Sequence, residues 1–187
     1  PQGVALRFDG TNDHVITPAS TLNLSTTQNF TFHAGIIPNF TSASNTGSAV
    51  IDCTGPAAAY LRAYLRWESA ALGFYMDIAD NTGGSAWKTG AMSFAANTLH
   101  SLDFVHYFNN AGQFYFDGRP ITTTVVGSTA KTVANNPITI GKGAVNSYYG
   151  NGMISSAMIY NRAASAAEIA YLDAFPYCMF DVSSERK

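Results

Sequence analysis

Residues 4–15, VALRFDGTNDHV, and residues 152–163, GMISSAMIYNRA, together decide the fold of this chain. The first segment predicts a short strand, a polar turn and a second strand, because apolar and polar residues alternate on both sides of the DGTND stretch. The second segment predicts one long strand close to the end of the chain. Both ends of the sequence therefore indicate β-structure.

The same period of two recurs between these segments. Phe30, Phe32, Ala34 and Ile36 share one predicted strand face, with Thr31, His33 and Gly35 on the other. We also predict strands at 60–67, 73–78, 99–107, 113–116, 121–126, 138–140 and 153–160. Clusters of Gly, Asn, Asp and Pro separate them. Many short strands with turns at this spacing predict an all-β sandwich of two sheets.

One helix is predicted, after the last strand. Ser165 and Glu168 have the spacing of a capping box, in which each side chain bonds the backbone N–H of the other residue. Ile169 and Leu172 would then face one side of the helix. Pro176 is expected to end it, because a proline inside a helix removes a backbone donor.

These segments resemble the laminin-G-like group of the concanavalin A-like lectin/glucanase superfamily, whose members open with a strand like A-L-x-F-D-G-x-x-D-Y-V. They close with one like G-x-I-D-E-V-R-I-Y-N-R-A-L-S-x-x-E-I. Residues 99–105, LHSLDFV, and 114–120, FYFDGRP, are similar to two middle segments of that family. The resemblance spans residues 3–172 and implies an antiparallel jelly-roll sandwich. We expect residues 1–174 to form this domain and residues 175–187 to form a tail.

Composition narrows the function classes. The net charge is -2 and Lys and Arg are scattered, so no basic stripe predicts nucleic-acid binding. No run approaches the roughly 20 apolar residues of a membrane span. Only 12% of residues are charged, about half the usual share, which suits a virion or extracellular protein. The chain starts at Pro1, so either a leader has been removed or only an initiator Met has been lost.

The acidic residues do not predict catalysis. Glycosidases use two carboxylates, which in this superfamily lie on one strand as E-x-D-x-x-E. Glu68, Glu168 and Glu185 stand far apart in the sequence. A Ser, His and Asp set can be chosen from any chain, and none here has the local sequence of a nucleophile elbow. We expect no enzymatic activity.

The turn after the first strand is a candidate calcium site. Asp9, Asn12 and Asp13 offer oxygen ligands of the kind that calcium prefers. The same residues also form a good hairpin turn without metal, because Asp and Asn side chains bond their own backbone. The family's closing strand carries Asp-Glu where this chain has Ser155 and Ser156, which removes two carboxylates from that region. No other cofactor is expected.

Two aromatic groups are candidate glycan contacts, because lectin sites stack a ring on a sugar and surround it with polar groups. One is Trp87, close to Asn81 in a Gly-rich loop; the other is the pair Tyr148 and Tyr149. Trp67 is expected to pack within a strand. The alternative is that these aromatic residues belong to the core, since aromatic residues make up 13% of the chain.

The tail is a candidate assembly segment. Its apolar residues are Phe175, Tyr177, Met179 and Phe180. They either dock on a neighbouring molecule or fold back over the domain's own core. Cys178 in this segment could pair with Cys53, although Cys53 in an apolar strand also fits a buried thiol.

The sequence thus predicts a non-enzymatic structural or recognition module of a virion, of the capsid-decoration, fibre-associated or tail-associated kind. One reason for predicting a virion module is that related phage-encoded proteins carry a similar aromatic-Pro segment after the helix. Other virion proteins or further copies of the chain are the expected partners, with a cell-surface glycan as a further ligand. The alternative is a secreted carbohydrate-binding module or lectin, which would be extracellular.

Overall fold

The computed structural model describes residues 5–19, 23–42, 47–53, 62–68, 72–80, 83–127, 129, 132–134, 137–143 and 148–175. Within them the chain forms strands and one helix. The strands are β1 Leu6–Asp9, β2 Val15–Ala19, β3 Asn23–Ser25, β4 Phe30–Pro38, β5 Ser48–Asp52, β6 Arg62–Glu68, β7 Gly73–Asp80, β8 Gly83–Thr89, β9 His100–Tyr107, β10 Ala111–Phe116, β11 Arg119–Ile121, β12 Thr123–Val126, β13 Thr132–Ala134, β14 Pro137–Ile140 and β15 Asn151–Tyr160. The helix is α1, Ala166–Ala174.

Two large antiparallel sheets form the sandwich. The first has six strands in the order β1-β15-β4-β9-β10-β11, and the second has seven in the order β12-β8-β7-β6-β5-β14-β2. A small sheet pairs β13 with β3. The first and last strands of the described residues, β1 and β15, are neighbours in this first sheet, where Leu6 lies opposite Ile154. The predicted jelly-roll sandwich with one short helix is confirmed.

The core lies between the sheets and is largely aromatic. Phe32, Trp67 and Trp87 are fully buried. Trp67 packs edge-on against Phe74 with ring centroids 5.1 Å apart, and Trp87 lies 5.2 Å from Phe104. Such pairs contribute about 0.5–1.5 kcal/mol beyond the area they bury. The predictions that β4 turns Phe32 inward and that Trp67 packs within a strand are both confirmed.

The other face of β4 is buried too, which the alternating pattern did not predict. Thr31 and His33 are both fully buried. The Thr31 hydroxyl donates to the carbonyl of Arg162 at 2.8 Å and accepts from the amide of Ala164 at 2.9 Å. Ile169 of α1 packs with Val105 on the same face, so the segment 162–174 covers this side of the six-stranded sheet.

The capping box at the start of α1 is confirmed. The amide of Glu168 donates to the Ser165 hydroxyl at 3.2 Å, and the amide of Ser165 donates to the Glu168 carboxylate at 2.8 Å. Arg162 pairs with the same carboxylate at 2.7 Å. The hydrogen bond from Arg162, followed by those from Ser165, lowers the pKa of Glu168 to about 2.

The alternating pattern of the first strand predicts that Val4, Leu6 and Phe8 share one face. Phe8 is buried, but Leu6 is 49% exposed because β1 is an edge strand with a single neighbour, and Val4 lies outside the described residues. Cys53 is buried, and burial raises the pKa of its thiol. Cys178 also lies outside the described residues, so the proposed pairing stays a prediction. Among the described residues, none of the helical segments has the length and apolar character of a membrane span.

Candidate functional site

The outer face of the seven-stranded sheet, turned away from the core, carries a cluster of charged and aromatic side chains. Strand register places Arg66 of β6 opposite Tyr75 of β7, and Tyr75 opposite Lys88 of β8. Asp77 lies two residues further along β7 and therefore on the same face. Tyr148, from the segment before β15, joins this row. We call the set Arg66, Tyr75, Asp77, Lys88 and Tyr148 the Arg66 face.

The inward neighbours in each strand explain why these side chains point outward. Leu65 and Trp67 enter the core on either side of Arg66, and Phe74 and Met76 do so on either side of Tyr75. Because successive side chains in a strand alternate between the two faces, Arg66 and Tyr75 must turn away from the core. The packing of these core residues thus determines which side chains form the Arg66 face.

Arg66 lies at the centre of this surface. Its guanidinium carbon is 5.0 Å from the centroid of the Tyr75 ring and 5.4 Å from that of Tyr148. Its Nη2 atom lies 3.6 Å from a carboxylate oxygen of Asp77. Arg66 and Asp77 are 8% and 5% exposed, so each charge is compensated by a neighbour rather than by bulk water. The two rings and the carboxylate hold the guanidinium in one place.

A glycine allows Tyr148 to reach Arg66. A Cβ atom added to Gly47 would lie 2.4 Å from a carbon of the Tyr148 ring, so any larger residue at position 47 would displace the ring. The carbonyl of Tyr148 accepts from the amide of Gly143 at 2.8 Å, which fixes the backbone. Tyr148 is half-buried, as are Tyr75 and Lys88.

This arrangement suits a polyhydroxylated ligand. The half-buried tyrosines combine aromatic surface with hydroxyl groups, and Lys88 adds a cationic donor on the neighbouring strand. Exposed Thr124 lies opposite Lys88 on β12 and extends the polar row. Sugar-binding sites combine an aromatic surface with a few placed hydrogen-bonding groups in this way.

The two adjacent tyrosines predicted as glycan contacts have different surroundings. Tyr148 belongs to the Arg66 face. The backbone of Tyr149 forms an isolated bridge with Lys142, and the Lys142 ammonium lies 5.7 Å from the Tyr149 ring. The structure therefore brings the first tyrosine of the pair to Arg66 and the second to Lys142.

The prediction for Trp87 is wrong. Residues 83–89 form strand β8 rather than a loop, and Trp87 points into the core with no exposed surface. Its Nε1 donates to the carbonyl of Asn110 at 3.3 Å, and its ring packs on Phe104 and on His106. A fully buried ring has no face on which a sugar could stack. Asn81, its predicted partner, lies outside the described residues.

The candidate calcium turn is held by its own hydrogen bonds. A carboxylate oxygen of Asp9 accepts from the amide of Thr11 at 2.8 Å and, more weakly, from that of Asn12 at 3.4 Å. The Asp13 carboxylate accepts from the amide of Asp9 at 3.2 Å. In the described ranges no group of three or more His, Cys, Asp or Glu side chains comes together as a metal site. These are side-chain-to-backbone bonds of a turn that needs no metal, but the turn is not that of a hairpin, because β1 and β2 lie in different sheets. Calcium binding stays a prediction.

Of the predicted assembly residues, the structure describes Phe175, and Tyr177, Met179 and Phe180 lie outside the described residues. Phe175 is 56% exposed at the end of α1, and its ring lies 5.0 Å from that of the equally exposed Tyr171. An exposed aromatic pair therefore marks the point where the tail begins.

Sequence reasoning did not select Arg66, Tyr75, Asp77 or Lys88. A usable signal was present, because Arg66 lies between the apolar residues Leu65 and Trp67 in a predicted strand. A charged residue at the outward position of an apolar strand identifies the face. The sequence gives no sign that Tyr148 crosses to Arg66.

Comparisons with known proteins agree on the fold. A laminin-G family model, described as the concanavalin A-like lectin/glucanases superfamily, matches residues 9–170. No match was found among curated protein sequences.

Solved structures are similar at low sequence identity. The native heptameric SAP-like pentraxin from Limulus polyphemus matches with TM-score 0.65 and 13% identity, over 92% of this chain and 82% of that one. The CBM40 of the Ruminococcus gnavus IT-sialidase, bound to α2,3-sialyllactose, matches with TM-score 0.61 and 13% identity, over 92% and 97%. The binding domain of Paraclostridial Mosquitocidal Protein 1 matches with TM-score 0.64 and 13% identity, over 91% of this chain and 43% of that one. The chain therefore has a lectin-like fold.

Proposed function

Because the chain belongs to the concanavalin A-like lectin/glucanase superfamily, we propose that it is a recognition module that binds a glycan on its Arg66 face. The observation that carries this proposal is the ordered cluster of Arg66, Tyr75 and Tyr148 on an outer sheet face. Building such a cluster at a surface is costly, since buried charges must be compensated, and ligand binding is a reason for its presence.

The similar structures support the class of ligand. The Ruminococcus gnavus module is similar over nearly its full length, and its description names sialyllactose as the bound ligand. At 13% identity this likeness concerns the fold, so the ligand of this chain is inferred from the Arg66 face itself. We expect an oligosaccharide that contacts the tyrosines and Lys88.

Binding should depend on the first tyrosine of the pair and not on the second. Tyr148→Ala removes a ring of the Arg66 face, whereas Tyr149→Ala removes a ring that contacts Lys142. Loss of an aromatic contact of about 0.5–1.5 kcal/mol corresponds to about 2- to 12-fold weaker binding. The matched control is therefore the adjacent residue in the same chain.

The measurement begins with an array of neutral and sialylated oligosaccharides, α2,3-sialyllactose included. Calorimetry on the strongest hit then compares wild type, Tyr148→Ala and Tyr149→Ala, with thermal melts to establish that all three are folded. Lys88→Ala should also weaken binding. Equal affinity for wild type and Tyr148→Ala, or the absence of any binding on the array, would contradict the proposed site.

The biological setting that we propose is a virion, where the module decorates a capsid or accompanies a fibre or tail. This setting rests on the sequence: low charge, a polar Ser/Thr/Asn-rich composition, and the aromatic-Pro segment after the helix. A secreted carbohydrate-binding module or lectin is the alternative. Mass spectrometry of purified particles and of the culture medium distinguishes the two settings.

We also propose that the domain does not hydrolyse glycans. The carboxylates on the outer face of the seven-stranded sheet include Asp77, which pairs with Arg66, and Asp52, which is 1% exposed. A glycosidase needs two carboxyl groups that both reach the scissile bond. Incubation with a panel of polysaccharides should release no reducing sugar above a buffer blank. Release that one Asp→Asn substitution abolishes would place the protein among the enzymes.

A further inference from the structure

The outer face of the six-stranded sheet joins a serine, a histidine and an aspartate from adjacent strands. His33 Nδ1 on β4 lies 2.7 Å from a carboxylate oxygen of Asp103 on β9, and His33 Nε2 lies 3.3 Å from the hydroxyl of Ser156 on β15. His33 and Asp103 are fully buried, and Ser156 is 9% exposed. No local sequence pattern marks this set, because Asp103 and Ser156 lie 70 and 123 residues from His33.

A β-bulge brings the hydroxyl into position. The register between β15 and β4 shifts between Ile154 and Ser156, so that Ser156 lies opposite Gly35 rather than one position away. A Cβ atom on Gly35 would lie 2.8 Å from the Ser156 oxygen, so a side chain at position 35 would displace the hydroxyl. Bulges redirect single side chains in this way and are over-represented beside active sites.

The hydrogen bonds give the three residues distinct roles. The amide of Gly35 donates to the Ser156 oxygen at 3.0 Å, which leaves the hydroxyl proton to point at His33 Nε2. With Nε2 accepting, the ring proton is on Nδ1 and is donated to Asp103. An activated serine nucleophile has this arrangement, in which a base accepts the hydroxyl proton and a third residue orients the base.

We propose that Ser156 is a reactive nucleophile that small esters acylate, with His33 as its general base and Asp103 as the residue that positions His33. In this step a bond forms between the Ser156 oxygen and the acyl carbon. The ester C–O bond breaks, the hydroxyl proton passes to His33 Nε2, and the alcohol or phenol leaves after taking that proton. Water later hydrolyses the acyl-serine and restores the free hydroxyl.

The surroundings restrict the substrate and the rate. Ser156 is only 9% exposed, with half-exposed Ser155 and Met158 beside it, so a small acyl group is the only kind that reaches the hydroxyl. The Gly35 amide is already bonded to the attacking oxygen and does not stabilise a carbonyl oxyanion. We therefore expect about one acylation per chain followed by slow release, since loss of one oxyanion donor costs about 10²–10³-fold in rate. This reaction is separate from glycan binding on the Arg66 face.

The test uses the full chain and a small alkyl fluorophosphonate. In that reaction the serine oxygen bonds to phosphorus and fluoride leaves, with the proton again passing to His33. Intact mass and peptide mapping should find one adduct per chain, on Ser156. Ser156→Ala should remove it, and Ser155→Ala, the adjacent hydroxyl that bonds the Gly35 carbonyl, should keep it.

A second measurement separates activation from folding. His33→Gln should slow labelling at least about 100-fold, the contribution of a general base. Asp103→Asn should slow it too and should move the ring proton of His33, which ¹⁵N chemical shifts of the imidazole report and a merely structural role would not require. Absence of an adduct on Ser156 in folded wild type, or equal labelling of Ser156→Ala, overturns the proposal. If the buried variants fail to fold, the comparison of Ser156→Ala with Ser155→Ala decides by itself.

Discussion

Thr31→Val should destabilise the domain although the two side chains have nearly the same shape. The Thr31 hydroxyl joins β4 to the segment before α1 through two hydrogen bonds, and both Thr31 and Ala164 are buried. Valine fills the space but leaves the Arg162 carbonyl and the Ala164 amide without this partner. A buried group that loses its partner costs about 1–3 kcal/mol. We expect a loss of about 2–6 kcal/mol in the free energy of unfolding for the two groups together.

Urea unfolding and thermal melts measure this loss. For a domain of this size about 1 kcal/mol corresponds to roughly 2–4 °C, so the melting temperature should fall by roughly 4–24 °C. Thr31→Ser is the matched control, since it keeps the hydroxyl and removes one methyl group, worth about 0.8 kcal/mol. If Thr31→Val is as stable as wild type, or if Thr31→Ser costs as much stability as Thr31→Val, the two hydrogen bonds do not hold this segment.

Four further outcomes follow from other parts of the chain. Ser165→Ala should cost about 1 kcal/mol of unfolding free energy, because the amide of Glu168 loses its acceptor; no change in urea unfolding would mean that Ser165 is not the N-cap. The folded-state pKa of Glu168 lies near 2, below the ordinary value of 4.5, so the stability it contributes is present above pH 4.5 and is lost as the pH falls toward 2. Wild type and Glu168→Gln should therefore converge in stability on acidification, and a difference that persists at pH 2 would contradict this origin. Phe32→Asp should cost several kcal/mol, because it places a charge between the sheets where Phe32 is fully buried, and an unchanged melting temperature would refute the facing of β4. Deleting residues 175–187 should leave the melting transition in place and reduce self-association in sedimentation; unchanged association would place the interface on the sandwich instead.

The sequence predicted the sandwich because its strands are specified locally. Residues 30–36 alternate cleanly, and the segments that form the paired strands β1 and β15 match a known strand pattern. Strand β8 was missed for a physical reason. Its residues include Gly83, Gly84 and Ser85, which have low strand propensity, so only its neighbours β7 and β12 make it a strand. Because the sequence predicts a Gly-rich loop here, it also predicts that the Trp87 ring is available to a ligand.

The burial of the outer face of β4 could not be predicted from the sequence either. The alternation of residues 30–36 marks Thr31 and His33 as outward, which is correct, but outward is not the same as exposed. Whether an outer face meets water depends on which later segment crosses it. Here α1 crosses, with Ile169 packed on Val105. Tyr148 and Arg66 illustrate the same limit on the other sheet, because they meet only through folding.

The position of α1 also explains why the outer faces of the two sheets differ in the size of ligand that can reach them. Thr31 fixes the segment before the helix, and the capping box fixes its first turn, so Ile169 closes the middle of the six-stranded sheet. A covered face keeps polar side chains where they hydrogen-bond to one another, as His33 and one carboxylate oxygen of Asp103 do. On the seven-stranded sheet, Tyr75, Lys88 and Tyr148 stay half-exposed around the compensated charge of Arg66. A large ligand therefore has access to the Arg66 face, whereas only a small group reaches Ser156.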